Sequence, residues 1–94
     1  MNELTVWVFN GNAQNHRFAF PSGVFSTQSN AEEWIEKHGL SGTLTMYRLD
    51  TGAYDWAIEN GYFRPSKPHH ANPEFIGQFG GGDVHFHYEK GKHG

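Results

Sequence analysis

Between Ser41 and Phe63 the hydrophobic pattern changes period once, from strand to helix, and that switch constrains the rest of the chain most. Thr43 to Leu49 alternates, with Leu44 and Met46 on one side and Thr43, Thr45, Tyr47 and Leu49 on the other, which predicts a strand. Asp50 or Thr51 can then cap a short helix. In it Tyr54 and Ile58 pair at i, i+4, Trp56 and Ala57 widen the apolar side, and Asn60-Gly61 ends the element. Tyr62-Phe63 brings the chain back to a core. Neither the strand nor the helix can bury its apolar side alone, so the flanking segments must supply strands beside it and a helix over it.

Leu4 to Phe9 is β-branched and aromatic, with Leu4, Val6 and Val8 on one face and Thr5, Trp7 and Phe9 on the other. Bulk on both faces puts this strand inside the sheet. Asn10-Gly11-Asn12 is a turn signal, Arg17 to Phe20 reads as a returning strand, Pro21-Ser22-Gly23 ends or bends it, and Val24-Phe25 is a short continuation. Ser29-Asn30-Ala31-Glu32 has the spacing of a capping box, and Ala31, Trp34, Ile35 and His38 then form one helical stripe. Gly39 can stop this helix in the left-handed region, with Leu40 folding back onto Ile35. Arg64 to His70, with Pro65 and Pro68, reads as an extended loop. Asn72-Pro73-Glu74 starts a short helix with Phe75, Ile76 and Phe79 as its apolar face, and Gly80-Gly81-Gly82 leads into a last strand. That strand alternates Val84, Phe86 and Tyr88 inward with His85, His87 and Glu89 outward. The expectation is an α+β fold: a mainly antiparallel sheet of about four strands with two to three helices packed on one face, in the order ββαβααβ. Residues 1–89 read as one domain and 90–94 as a flexible tail.

A chain of 94 residues supports a single core, and its eight Phe, four Tyr and three Trp make that core aromatic. There is no cysteine, hence no disulfide and no thiolate metal site. Met1-Asn2-Glu3-Leu4 lacks the basic start and apolar run of a secretory signal, and no stretch is apolar enough for a membrane helix, which predicts a soluble, cytoplasmic protein without a membrane partner. A formal charge of -3 speaks against a nucleic-acid partner, although seven histidines would reverse that sign on protonation.

The run Leu40-Ser41-Gly42-Thr43-Leu44-Thr45, then Tyr47, Leu49-Asp50, Tyr54-Asp55-Trp56-Ala57 and Asn60-Gly61, resembles a family of small uncharacterised bacterial domains known only as a domain of unknown function. The resemblance continues through Gly23-Val24-Phe25, Glu33-Trp34-Ile35, Lys67-Pro68-His69-His70, Pro73-Glu74-Phe75-Ile76 and His87-Tyr88, and so covers most of residues 4–89. It implies a free-standing small domain. No catalytic role comes with it.

Three constellations could carry chemistry. His85 and His87 share one face of a strand and could present two imidazoles to Zn²⁺, Ni²⁺ or Fe²⁺, with Glu89, His69 or His70 as a third ligand; the plain alternative is the solvent face of an edge strand. Asp50, Asp55 and Glu59 invite an acid/base reading, against which stand a cap and a solvated helix face. Arg64, Lys67, His69 and His70 form the one local basic cluster, beside Tyr62 and near Trp56. Those six residues suit contact with a protein or a small ligand. The reading favoured is a non-enzymatic binding module, monomeric or homodimeric, with no required cofactor. The competing one is a small metal-dependent enzyme or metal sensor.

Overall fold

The computed structural model describes residues 4–12, 20–80 and 84–93. Its elements are β1 (Thr5–Gly11), β2 (Pro21–Phe25), α1 (Gln28–His38), β3 (Gly42–Arg48), α2 (Ala53–Glu59), a 3-10 turn (Pro68–Ala71), α3 (Pro73–Gln78), β4 (His85–Glu89) and β5 (Lys92–His93). The five strands form one antiparallel sheet in the order β2-β1-β3-β4-β5. The α+β class stands, with one strand more than expected.

That strand comes from the supposed tail. Lys90 and Gly91 both adopt positive φ (51° and 86°), the conformation of a two-residue hairpin turn whose twist suits the flanking strands. Tyr88 then pairs with His93 and Glu89 with Lys92. The Gly91 amide donates to the Leu40 carbonyl at 2.8 Å, which ties the turn to the end of α1.

Register sorts the side chains cleanly. Trp7 lies opposite Met46, Phe9 opposite Leu44, and Leu44 opposite Phe86, so these line one face. Helix α1 covers that face. Phe9, Ala31, Ile35, Leu44 and Tyr88 are buried together, with Trp7, Phe25, Trp34, Leu40 and Phe86 packed around them. Phe9 meets Trp34 edge-on at 6.0 Å, and Trp7 stacks on Phe86 at 6.2 Å. The Tyr88 hydroxyl donates to Glu32 Oε2 at 2.6 Å, and Gln28 Nε2 donates to the same oxygen at 3.2 Å. Burial, and then the bond to Glu32, push the Tyr88 phenol well above its ordinary value of 10.0. The other face presents Val6, Val8, Val24, Thr43, Thr45, Tyr47, His85 and His87.

Several boundaries differ from the sequence reading. Strand β2 begins at Pro21, the residue expected to end it; a proline with no N–H to offer is tolerated where an edge strand begins, and the register slips between Phe9 and Asn10. Expected strand residues Arg17 to Ala19 lie outside the described residues. Thr27, not Ser29, caps α1: its Oγ1 accepts from the Asn30 N–H at 3.1 Å, leaving Glu32 free to turn toward Tyr88. Gly39 (φ 62°) closes α1 as expected, with Leu40 N–H donating to the Ile35 carbonyl at 3.0 Å. Gly52 occupies the cap of α2, because Asp50 takes a left-handed turn (φ 60°) that carries the chain out of the strand. Of the loop read as extended from Arg64 to His70, only Pro68 to His70 coil instead into the 3-10 turn, and Lys67 keeps an extended backbone (φ -123°, ψ 151°). Among the described residues no helix is long and apolar enough to cross a membrane.

Helices α2 and α3 do not lie alongside α1. With the 3-10 turn they build a side lobe around Tyr54, Phe63, Phe75 and Phe79, whose ring centroids approach to between 5.0 Å and 6.3 Å. Helix α2 meets the sheet at the Met46 and Arg48 end of β3, on the face that α1 covers further along.

Candidate functional site

Where the lobe meets the sheet there is a groove. The C-terminal end of β3 supplies Met46, Tyr47 and Arg48, α2 supplies Ala53, Trp56 and Ala57, and Tyr62 and Phe79 close the sides. It encloses about 200 Å³. The local sequence accounts for its shape. Gly61 adopts φ 78°, so that its own N–H reaches the Ile58 carbonyl at 3.2 Å and the Tyr62 N–H reaches the Ala57 carbonyl at 2.8 Å. This reversal lays Tyr62 on Trp56, with centroids 5.3 Å apart and the planes within 10°. Arg48 brings its guanidinium carbon to 3.6 Å from the Trp56 ring centre, close enough for a cation–π contact. Trp56 is thus held between a strand cation and a cap tyrosine, half-buried, while Tyr62 is exposed.

Of the six residues singled out for partner contact, Trp56 and Tyr62 line this groove, and Arg64, Lys67, His69 and His70 do not. His70 belongs to the lobe. Its ring lies 5.1 Å from Phe63 and 4.8 Å from Phe75, and its Nδ1 accepts N–H bonds from Ser66 (3.0 Å) and Lys67 (3.2 Å). His69 meets it edge-on at 4.5 Å and meets Phe75 edge-on at 5.6 Å. Arg64 and Lys67 are exposed. Arg48, Met46, Ala53 and Phe79 were missed. A signal existed for Arg48: strand period places it on the same side as Met46, at the strand end that hands over to an aromatic helix.

Desolvation, then the neighbouring His69 and Lys67 charges, lower the His70 pKa below its ordinary value of 6.5. The two N–H bonds act in the same sense, because protonated Nδ1 cannot accept them. A depressed histidine contributes stability that is complete above about 6.5 and lost as pH falls through the lower folded value. Amide exchange at Ser66 and Lys67 is therefore expected to accelerate below that pH beyond its intrinsic trend, and in a His70→Phe variant to be fast at neutral pH already. Pulsed hydrogen exchange read by NMR checks both.

His85 and His87 face outward from β4 with ring centroids 5.2 Å apart, and His87 Nδ1 lies 3.3 Å from Thr43 Oγ1. Among the described residues, no group of three or more His, Asp or Glu side chains gathers where they could share an ion. Asp50, Asp55 and Glu59 are all exposed.

The strand–turn–helix unit that makes the groove is also the densest run of the motifs quoted above. Residues 6–94 match a family described as a domain of unknown function, DUF7710. The chain belongs to that family. No curated protein and no solved structure matches it. Within this DUF7710 chain the matched span takes in every described strand and helix except the first residue of β1, so the groove, the sheet and the side lobe lie inside it.

Proposed function

We propose that the protein is a non-enzymatic binding module whose groove between β3 and α2 receives one apolar side chain of a partner polypeptide. The carrying observation is Trp56 fixed by Arg48 and stacked on Tyr62 at the mouth of a groove of about 200 Å³. That volume falls below the roughly 300 to 1,000 Å³ of sites that enclose a cofactor or drug-sized ligand. It suits a single anchoring side chain, with an aromatic rim to exclude water around it. Arg64 and Lys67 lie on the exposed chain that leaves Tyr62, and would touch the rest of such a partner. Residues 1–89 as one domain acting in the cytoplasm remain part of this reading, which the absence of cysteine suits.

Selection from a displayed random-peptide library tests it. Peptides retained by the wild-type chain are expected to share one bulky apolar position, and Trp56→Ala or Tyr62→Ala is expected to weaken them by about thirtyfold, the effect of losing a hot-spot contact. Retained peptides that bind both variants as tightly as wild type would remove the groove from consideration.

A further inference from the structure

His85 and His87 occupy alternate positions of β4, so both leave the sheet on the same side, the one that α1 does not cover. Both are exposed, and an ion reaches them from solvent without any movement of the backbone. Register sets Thr45 opposite His85 and Thr43 opposite His87, so the neighbouring strand offers a short, uncharged side chain at each position. The third ligand considered from the sequence does not arrive: among the described residues no further His, Asp or Glu joins the pair.

We propose that His85 and His87 chelate one Zn²⁺, with solvent water in its remaining positions. Distance carries the argument. In a zinc site each imidazole nitrogen stands about 2.0 to 2.1 Å from the ion, which puts each ring centre about 3.2 Å from it. Two such rings have centres about 5.2 Å apart at the tetrahedral angle, and about 4.5 Å apart at a right angle. The observed separation is 5.2 Å, with the ring planes at 87°. Alternate residues of a strand repeat about 6.6 to 6.8 Å apart along the backbone, so the two rings lean toward each other. A second observation concerns the orientation of His87, whose Nδ1 lies 3.3 Å from Thr43 Oγ1. A zinc ligand binds through one nitrogen of the neutral imidazole and carries its proton on the other, where an acceptor fixes the ring. With that proton donated from Nδ1 to the Thr43 hydroxyl, Nε2 keeps its lone pair for the ion. The donor set points the same way. Two imidazoles suit a borderline ion better than Mg²⁺ or Ca²⁺, which take oxygen, and Cu²⁺ in its tetragonal geometry calls for the shorter separation. Catalytic zinc sites have three protein ligands, so a two-histidine site binds and releases the ion without becoming a hydrolytic centre. The site shares no residue with the groove, and neither proposal needs the other.

Zn²⁺ alone, titrated into the wild-type chain in a non-chelating buffer at neutral pH and followed through the imidazole ¹⁵N signals, is expected to shift His85 and His87 first. Those shifts are expected to saturate at one ion per chain, with Nε2 as the coordinating nitrogen of His87. His85→Ala, at an exposed position, is expected to weaken binding about a hundredfold or more, because a single imidazole remains. Thr43→Val keeps both ligands and removes only the hydroxyl, and is expected to weaken it about tenfold. His69→Ala and Trp56→Ala are expected to bind Zn²⁺ as the wild type does. A wild-type chain that binds no Zn²⁺, a His85→Ala chain that binds it as tightly, or shifts that begin at His69, His70 or His93 overturn the proposal. Should a variant fail to fold, the ring shifts of the wild-type chain decide alone.

Discussion

Replacing Gly42 with alanine is expected to destabilise the fold by about 3 kcal/mol or more. A Cβ at Gly42 would lie 2.8 Å from the Gly11 Cα and 2.8 Å from the Phe9 ring, and closer still to the Asn10 carbonyl oxygen. Two of these three neighbours are backbone of the paired strand, so no rotamer change relieves the overlap. The ring of Phe9 fills the place a side chain would occupy, and β1 and β3 approach each other there because position 42 has none. Gly11 is the register partner of Gly42, yet a Cβ on Gly11 would find nothing nearer than 3.9 Å. Gly11→Ala is therefore expected to be close to neutral. Urea titration of both variants checks the contrast, and equal midpoints would mean that the strands do not meet as described. Near 94 residues, the Gly42→Ala loss corresponds to a fall in melting temperature of roughly 12 to 24 °C.

The second large effect is expected from Phe9→Ala, at about 3 to 5 kcal/mol. Phe9 is 1% exposed and touches both layers: Leu44 beside it in the sheet and Trp34 above it on α1. Removing the ring leaves a cavity beside Gly42 that strand pairing prevents from collapsing. Phe20, a residue of the same size, is 77% exposed, and Phe20→Ala is expected to stay within about 0.5 kcal/mol. Chemical denaturation separates the two. A Phe9→Ala chain as stable as wild type would place the core elsewhere.

Sequence made the sheet and α1 legible for a physical reason. Period-2 alternation in Val84 to Glu89 and Thr43 to Leu49, and the stripe Ala31, Trp34, Ile35 and His38 in α1, each offer one side to a partner, and the structure buries Leu44, Tyr88, Ala31 and Ile35, half-buries Met46, Phe86 and Trp34, and leaves His38 exposed. Caps ending in glycine were equally readable, since Gly39 and Gly61 both adopt the left-handed conformation that only their missing side chain makes easy. Starts were less so. Thr27 and Ser29 are both good capping residues, and which hydroxyl meets an amide depends on where Glu32 finds Tyr88, a residue distant in sequence. The last hairpin was missed because Lys90-Gly91 is a weak turn signal until β4 is in place to receive β5.

The site was legible in part. Trp56 and Tyr62 stand out as aromatics around a helix-ending glycine, and they do stack. Nothing local revealed that His69 and His70 would turn into the lobe, since the rings they meet, Phe63 and Phe75, flank them in sequence but converge on them only through the 3-10 turn. Arg48 differs: strand period sets it on the side of Met46, at the strand end that hands over to the helix carrying Trp56.

The most direct test of the groove is an NMR titration of the wild-type chain, and of an Ala53→Trp variant that fills the groove, with a peptide bearing the selected apolar residue. Saturable shifts confined to Met46, Ala53, Ala57 and the Trp56 indole in the wild type, and absent from Ala53→Trp, are the result expected. Shifts that persist in the filled variant, or that centre on Val6, Val8 and Val24, would contradict it.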